Sequence, residues 1–273
     1  MTKIIMNDTK KLQQEIINEF STPIVQGRYW KIAQNGFWES EEKLIRQYFK
    51  RNSSILEVGC GSGRTVLPLH RMGYEVTGVD LTPKMIEIAK KVATLNNLDI
   101  SYKVGDATRL EFNDNSFDNS LFANNGWAQI PGKNNRLKTL KEIYRVIKPG
   151  GYYIFTADRR YYDLRHLLFW IKQFVKIYLL KPLGFDIKEI EFGDLWFNRR
   201  HNGKELPQKQ FMHIGSVKEI TNQIKEAGFE LVYSAPMGEI SKKDAEDMQG
   251  TLFPHDDAYK SPIFYVCRKS INK

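Results

Sequence analysis

Cysteine is scarce in this 273-residue chain, with only Cys60 and Cys267 present. Two such residues cannot build a disulfide framework and lack metal-ligand spacing, so no metal is expected. The composition points instead to a reducing, intracellular and cytoplasmic setting. No apolar run is long enough to cross a bilayer without charges, so no transmembrane segment is expected. The opening residues, MTKIIMNDTKKLQQEI, break any apolar stretch with polar groups, unlike a secretory leader. Internal repeats, low-complexity tracts and basic arms are also missing. The formal net charge is nevertheless +9. A basic balance suits nucleic acid, anionic membranes or acidic substrates, but here the lysines are dispersed among Asp and Glu. Nucleic acid is disfavoured further by the lack of an RNA-binding appendage.

What is present is a globular composition, 41% hydrophobic and 27% charged. Residues 8–50 read as helical, with apolar residues at helical spacing in LQQEIINEF and SEEKLIRQYF. Ser40 is the expected N-cap of the second stretch, with Glu41 and Glu42 in its first turn. Short apolar runs then alternate with helical segments. Strands are predicted at 54–58, 75–80, 100–106, 119–124 and 152–158, with helices at 65–72, 83–96 and 135–147. That rhythm implies right-handed βαβ units and a parallel sheet. It breaks over 159–211 and resumes with a helix at 217–227 and strands at 229–236 and 263–269.

The sharpest motif is ILEVGCGSGRT at 55–65, where a strand runs into Gly59, Gly61 and Gly63 and then a helix. Glycines permit a tight turn and close approach of a ligand to the backbone, and free amides at the helix start suit a polar or anionic group. A dinucleotide site is the rival reading, but the third position of G-x-G-x-x-G is Arg64. Asp80 ends the next strand about 20 residues further on, where a carboxylate can accept both hydroxyls of a ribose. Asp106 and Ala107 stand at the tip of the third strand, placed to read an adenine edge.

Taken together, EVGCGSG, GVDLTPKM, GDATRLEF, FDNSLFANNGWAQIP and LKEIYRVIKPGGYYIFTAD resemble the class I S-adenosylmethionine-dependent methyltransferase family. The resemblance is dense over 50–158 and looser over 211–270. It implies an α/β, doubly wound, seven-stranded sheet ordered 3-2-1-4-5-7-6, with the last strand antiparallel and an inserted lid after the fifth. It implies S-adenosylmethionine as cofactor: Glu57, Gly59 and Gly61 beside its methionine part, Asp80 on the ribose, Leu81 beside the adenine, and Asp106 and Ala107 on the adenine amino group and ring. Ala123 and Asn124 would also lie beside the cofactor, as in the similar stretch of glycine and sarcosine N-methyltransferases. Trp127 and Gln129 follow in that stretch. The Asn-Pro-Pro-Tyr type of motif is missing at this tip, which disfavours DNA adenine and protein glutamine as acceptors. Similar enzymes fold an N-terminal helix over the cofactor, making Tyr29 and Trp30 candidate contacts; the alternative is a purely structural aromatic cluster.

The resulting organisation is a helical cap (1–50), a core (51–158 and 211–273) and a substrate lid (159–210). Within the insertion Leu167, Leu168, Ile171, Phe174, Val175 and Tyr178 share one helical face, and Arg165, Lys172, Lys176 and Lys181 punctuate the other. That stripe suits packing on the core or a second subunit, a pocket roof, or a membrane surface. Asn202-Gly203 suggests a hairpin turn, with Trp196, Phe197, Arg199, Arg200 and His201 as possible substrate contacts. The run His255, Asp256, Asp257 and Tyr259 reads as a solvated loop rather than a metal site. His213, His201 and Tyr162 are the candidate bases, if methyl transfer needs one. The expected function is methyl transfer to N, O or S of a small molecule. The alternatives are an RNA or protein methyltransferase and a binding protein that lost transfer.

Overall fold

A computed structural model of the chain describes residues 2–161, 164–201, 204–247 and 262–271. Three helices come first: α1 (Thr2–Phe20), α2 (Pro23–Ile32) and α3 (Glu39–Tyr48). The alternating part follows as β1 (Ser54–Val58), α4 (Val66–Arg71), β2 (Glu75–Asp80), α5 (Pro83–Leu95), β3 (Ser101–Val104), β4 (Asn119–Phe122), α6 (Lys133–Val146) and β5 (Tyr152–Ala157). After β5 come α7 (Leu164–Val175), continued by a wider turn to Leu180, and the strands β6 (Asp194–His201) and β7 (Lys204–His213). The chain ends with α8 (Val217–Glu226), β8 (Glu230–Pro236), the short α9 (Met237–Ile240) and α10 (Lys242–Asp247), and β9 (Ile263–Arg268).

Seven strands form one sheet in the order β3-β2-β1-β4-β5-β9-β8. Strands β1 to β5 are parallel, and β9 runs antiparallel between β5 and β8. This is the expected 3-2-1-4-5-7-6 topology. Side chains alternate across the strands and feed two cores, one on each face. Leu56, Tyr153, Phe155 and Tyr265 pack with Leu140 and Ile143 of α6 and with Ile220 and Ile224 of α8. Ile55, Ile154 and Phe264 face the other way, onto Leu44 and Ile45 of α3, Leu69 of α4 and Ala89 of α5. The order reverses between β1 and β4, so a crevice opens at their carboxyl ends. No helix among the described residues is long and apolar enough to cross a membrane.

The start of α3 differs from the expectation. Trp38, not Ser40, is the N-cap, and its amide donates to Glu41 Oε2 at 2.8 Å. The next two amides, of Glu39 and Ser40, donate to the carboxylate of Asp244 at 3.1 and 2.6 Å. A carboxylate delivered from α10 serves these otherwise unpartnered amides better than a local hydroxyl, since its charge also complements the helix dipole.

Arg64, just past the glycine loop, binds Glu41 bidentately at 2.7 and 2.6 Å and donates to the Gly36 carbonyl at 2.9 Å. Both side chains are buried. This pair ties the N-terminal helices to the loop. Glu41→Ala should therefore cost about 3–5 kcal/mol in urea denaturation, because it strands a buried guanidinium. The double variant Glu41→Leu/Arg64→Met should recover much of that loss. A single-variant loss below about 1 kcal/mol would mean that the pair is solvent-screened in the way of surface pairs.

Candidate functional site

The carboxyl ends of β1, β2, β3 and β4 converge on one cleft. The loop after β1 is bent by left-handed backbone at Gly59 (φ 63°), Gly61 (φ 52°) and Gly63 (φ 89°). At Gly59 the neighbourhood also demands glycine, since a β-carbon would lie 2.3 Å from the Phe122 ring. The loop is held from β2: Asp80 Oδ2 accepts the Gly61 amide at 2.9 Å, and Oδ1 accepts the Thr82 amide at 2.8 Å. Asp80 is half-buried, and burial raises its pKa against the lowering effect of those two amides. At the β3 tip, Asp106 Oδ1 accepts the Thr108 amide at 2.8 Å.

Tyr29, Glu57, Gly59, Gly61, Asp80, Leu81, Asp106, Ala107, Ala123 and Asn124 all line this cleft. Trp30 does not. It lines a separate cleft with Leu67, Pro68 and Val92. Neighbouring residues on a helix point about 100° apart, so with Tyr29 turned to the glycine loop, Trp30 is directed away. Ser62 Oγ donates to the Tyr29 carbonyl at 2.7 Å, which pins α2 over the loop.

The motif reading missed α1. Gln13, Ile16 and Phe20 line the cleft, and Gln13 Nε2 donates to Asp106 Oδ2 at 3.1 Å. The spacing of Gln13, Ile16 and Phe20, three and then four residues apart, marks one helical face and was available in the sequence. Gln129, Ile130, Pro131 and Asn135 complete the wall beyond β4.

The cleft's ionisable groups are mainly acidic. Its cation, Arg64, is held by Glu41. Burial pushes the Glu57 carboxyl up to about 8, against the lowering hydrogen bond from Thr65 Oγ1 and the Arg64 charge. Glu57 Oε2 has no hydrogen-bond partner among the described residues. A buried acceptor of this kind, beside Asp80 and Asp106, fits a ligand with an ammonium group, a ribose and an adenine, and a cation fits better than an anion. These residues thus suit S-adenosylmethionine on their own chemistry. Asp158, at the end of β5, accepts from Asn125 Nδ2 at 3.1 Å, and burial pushes its pKa up to about 7 despite that bond. It lies outside the cleft lining.

The candidate bases do not gather there. His213 is buried, with Nδ1 2.8 Å from Asp194 Oδ1 and Nε2 3.0 Å from Glu219 Oε1. Burial and the nearby Arg136 lower its pKa, but the two carboxylate partners and Glu191 prevail and the net shift is upward. With a carboxylate on each ring nitrogen and no place in the cleft lining, His213 is corrected from candidate base to a structural residue. Tyr162 lies outside the described residues, as do Asn202, Gly203, His255, Asp256, Asp257 and Tyr259 and the side chains of Arg199, Arg200 and His201. Trp196 packs on Phe211 at 5.5 Å, and Phe197 packs against the core.

Around His213 two arginines meet three carboxylates. Arg136 of α6 reaches Glu191 at 2.7 Å and Glu219 at 3.6 Å, and Arg160 reaches Glu219 at 3.7 Å. Asp194 also accepts the Ile190 and Glu191 amides at 2.9 and 3.0 Å. Burial raises the Glu219 pKa, but His213 and the two arginines outweigh it and bring it to about 2. The cluster clamps the segment after β5 onto α6 and α8. Backbone pairing of Arg159 with Gly215 closes that segment slightly beyond the expected boundary.

Comparison with known proteins agrees with this geometry. Residues 56–155 match a family model described as a methyltransferase domain. Over 186 residues the chain is 30% identical to demethylmenaquinone methyltransferase of Staphylococcus aureus, covering 66% of this chain and 69% of that one. It is 35% identical to the Symbiobacterium thermophilum protein of the same name over 136 residues, 45% of this chain and about half (51%) of that one. A SAM-dependent methyltransferase from Methanosarcina mazei shares the fold, with a TM-score of 0.63 at 22% identity over 87% of this chain and 100% of that one. A putative sarcosine dimethylglycine methyltransferase from Galdieria sulphuraria does so with a TM-score of 0.54 at 16% identity, over 86% and 84%. The fold and site together define a nucleotide-type cofactor cleft at a sheet switch point. The chain belongs to the class I S-adenosylmethionine-dependent methyltransferases, and S-adenosylmethionine is its cofactor.

The clamp should respond to pH. His213 is raised above its unfolded value of about 6.5, so its contribution is complete below that pH and fades as pH climbs through the folded value. In denaturant titrations His213→Gln should cost most near pH 6 and progressively less at alkaline pH. A cost that stays constant from about pH 6 to 10 would show that the ring is neutral throughout.

Proposed function

We propose that the chain methylates a small, apolar acceptor of the hydroquinone class, using the residues of the strand-tip cleft to hold the cofactor. Glu57 and the glycine loop would take the amino-acid end, Asp80 the ribose hydroxyls, and Asp106, Ala107 and Leu81 the adenine. Tyr29 and α1 would cover them as part of a helical cap (1–50). The bound cofactor supplies a methyl group on a sulfonium, already joined to a good leaving group. The protein's share is then mainly alignment and exclusion of water; as the methyl group passes to the acceptor and S-adenosylhomocysteine leaves, the acceptor's proton would pass to solvent or to a base. A hydroquinone offers two nucleophiles, a hydroxyl oxygen and an electron-rich ring carbon. The segment 159–210, clamped beside the cleft edge, would form the acceptor's side of the site.

The observation that carries this reading is the likeness to two proteins named demethylmenaquinone methyltransferase, together with a cleft whose ionisable groups are mostly acidic. Phosphate-rich acceptors would meet carboxylates there. The test supplies labelled S-adenosylmethionine with a solubilised, short-chain demethylmenaquinol and, separately, with total RNA. Label should enter the organic extract of the first, and mass spectrometry then places the methyl on carbon or oxygen. Label in RNA, or none in any lipid-soluble product, would overturn the acceptor assignment.

A further inference from the structure

Helix α7 presents its apolar residues outward. Its inner face is Trp170, Gln173 and Ile177, all buried, with Trp170 Nε1 donating to the Tyr161 carbonyl at 2.7 Å and Gln173 Nε2 to the Asp194 carbonyl at 2.9 Å. The opposite face carries Leu164 (88% exposed), Leu168 (68%), Ile171, Phe174 (52%) and Tyr178. The stripe, for which the sequence leaves open packing on the core or a second subunit, a pocket roof, or a membrane surface, faces solvent. Nothing among the described residues covers it. A contiguous apolar face of this kind on a clamped helix marks an interaction surface.

Charge narrows the choice of partner. Lys172 is exposed within the same helix. Lys176 and Lys181, on the other side of the helix, are bound to Glu189, by its carboxylate at 2.7 Å and its carbonyl at 2.5 Å. The whole chain carries a net +9. We propose that this face docks on an anionic lipid surface, with the leucines and phenylalanine entering the acyl boundary and Lys172 meeting headgroups. A second copy joined through the same patch would place lysines near lysines about a two-fold axis. Anionic headgroups supply counter-charge to Lys172 and to the chain's net +9. The inference rests in part on the apolar-acceptor reading, since such an acceptor partitions into lipid. Helix α7 follows the carboxyl end of β5, the sheet edge on which the cleft opens.

The test uses the full chain and sedimentation with sucrose-loaded vesicles of phosphatidylglycerol and phosphatidylcholine, or of phosphatidylcholine alone, at about 0.1 M salt. Binding to the anionic vesicles should be at least about tenfold stronger, and Leu168→Glu/Phe174→Glu should lose at least about tenfold. Both substituted side chains are exposed, so the variant should fold, and unchanged affinity for S-adenosylhomocysteine would check that. Lys172→Glu should reduce only the preference for the anionic vesicles. Absence of binding to either vesicle would overturn the proposal. Sedimentation velocity would then assign the face to a second copy if a dimer is dispersed by the double variant, and to solvent if the chain is monomeric. Methylation of the detergent-solubilised quinol is scored separately. Vesicle binding without methylation keeps the docking surface and removes the acceptor reading, whereas methylation without vesicle binding removes the surface alone.

Discussion

The cleft keeps its shape because one carboxylate joins two strand tips. Asp80 takes the amide of Gly61 with one oxygen and that of Thr82 with the other. The loop after β1 is thereby fixed to the end of β2, helped by the Cys60 amide on the Val79 carbonyl at 3.0 Å. Without that acceptor the Gly61 amide would lose its partner in a buried part of the loop whose glycines already sit in left-handed backbone. The carboxylate that would receive a ribose is thus the one that builds the turn beside it. Its oxygens retain lone pairs after both amides are bound, so holding the loop and receiving a ligand do not compete.

Much of this was legible in the sequence, for a physical reason. Strand tips are marked by residues whose backbone or charge demands are local: Gly59 and Gly61 for left-handed backbone, and Asp80 and Asp106 for turn amides. The sheet order followed from the βαβ rhythm and the family likeness. The failures are cases where a distant partner decides. Ser40 satisfies the local capping rule, yet Asp244 arrives from far along the chain. Trp30 and Tyr29 are equally aromatic, and only the docking of α2 selects between them. His213 looks like a base until two carboxylates, Asp194 and Glu219, close on its nitrogens. Gln13 bears on Asp106 only because α1 folds back across the sheet edge.

The segment after β5 shows the same division between near and far causes. Its apolar spacing correctly marks a helix, but spacing alone cannot say whether the apolar stripe points inward. Here the docking contacts go to Trp170 and Gln173, which leaves Leu164, Leu168 and Phe174 outside. The segment is secured both by apolar packing, with Trp170, Leu195 and Met212 in the core against α6 and α8, and by the ionic cluster of Arg136, Arg160 and His213 with Glu191, Asp194 and Glu219.

Asp80 shapes the cleft, and we propose that it also receives the cofactor's ribose. Titration calorimetry with S-adenosylhomocysteine, on the wild-type chain and on Asp80→Ala, tests that assignment most directly. The expected loss is about 1.5–3 kcal/mol, that of hydrogen bonds to a charged group. Circular dichroism would verify that the variant is folded. Unchanged affinity in a folded Asp80→Ala chain would contradict the ribose assignment, and tighter binding of a nicotinamide or flavin dinucleotide than of S-adenosylhomocysteine would contradict the cofactor itself.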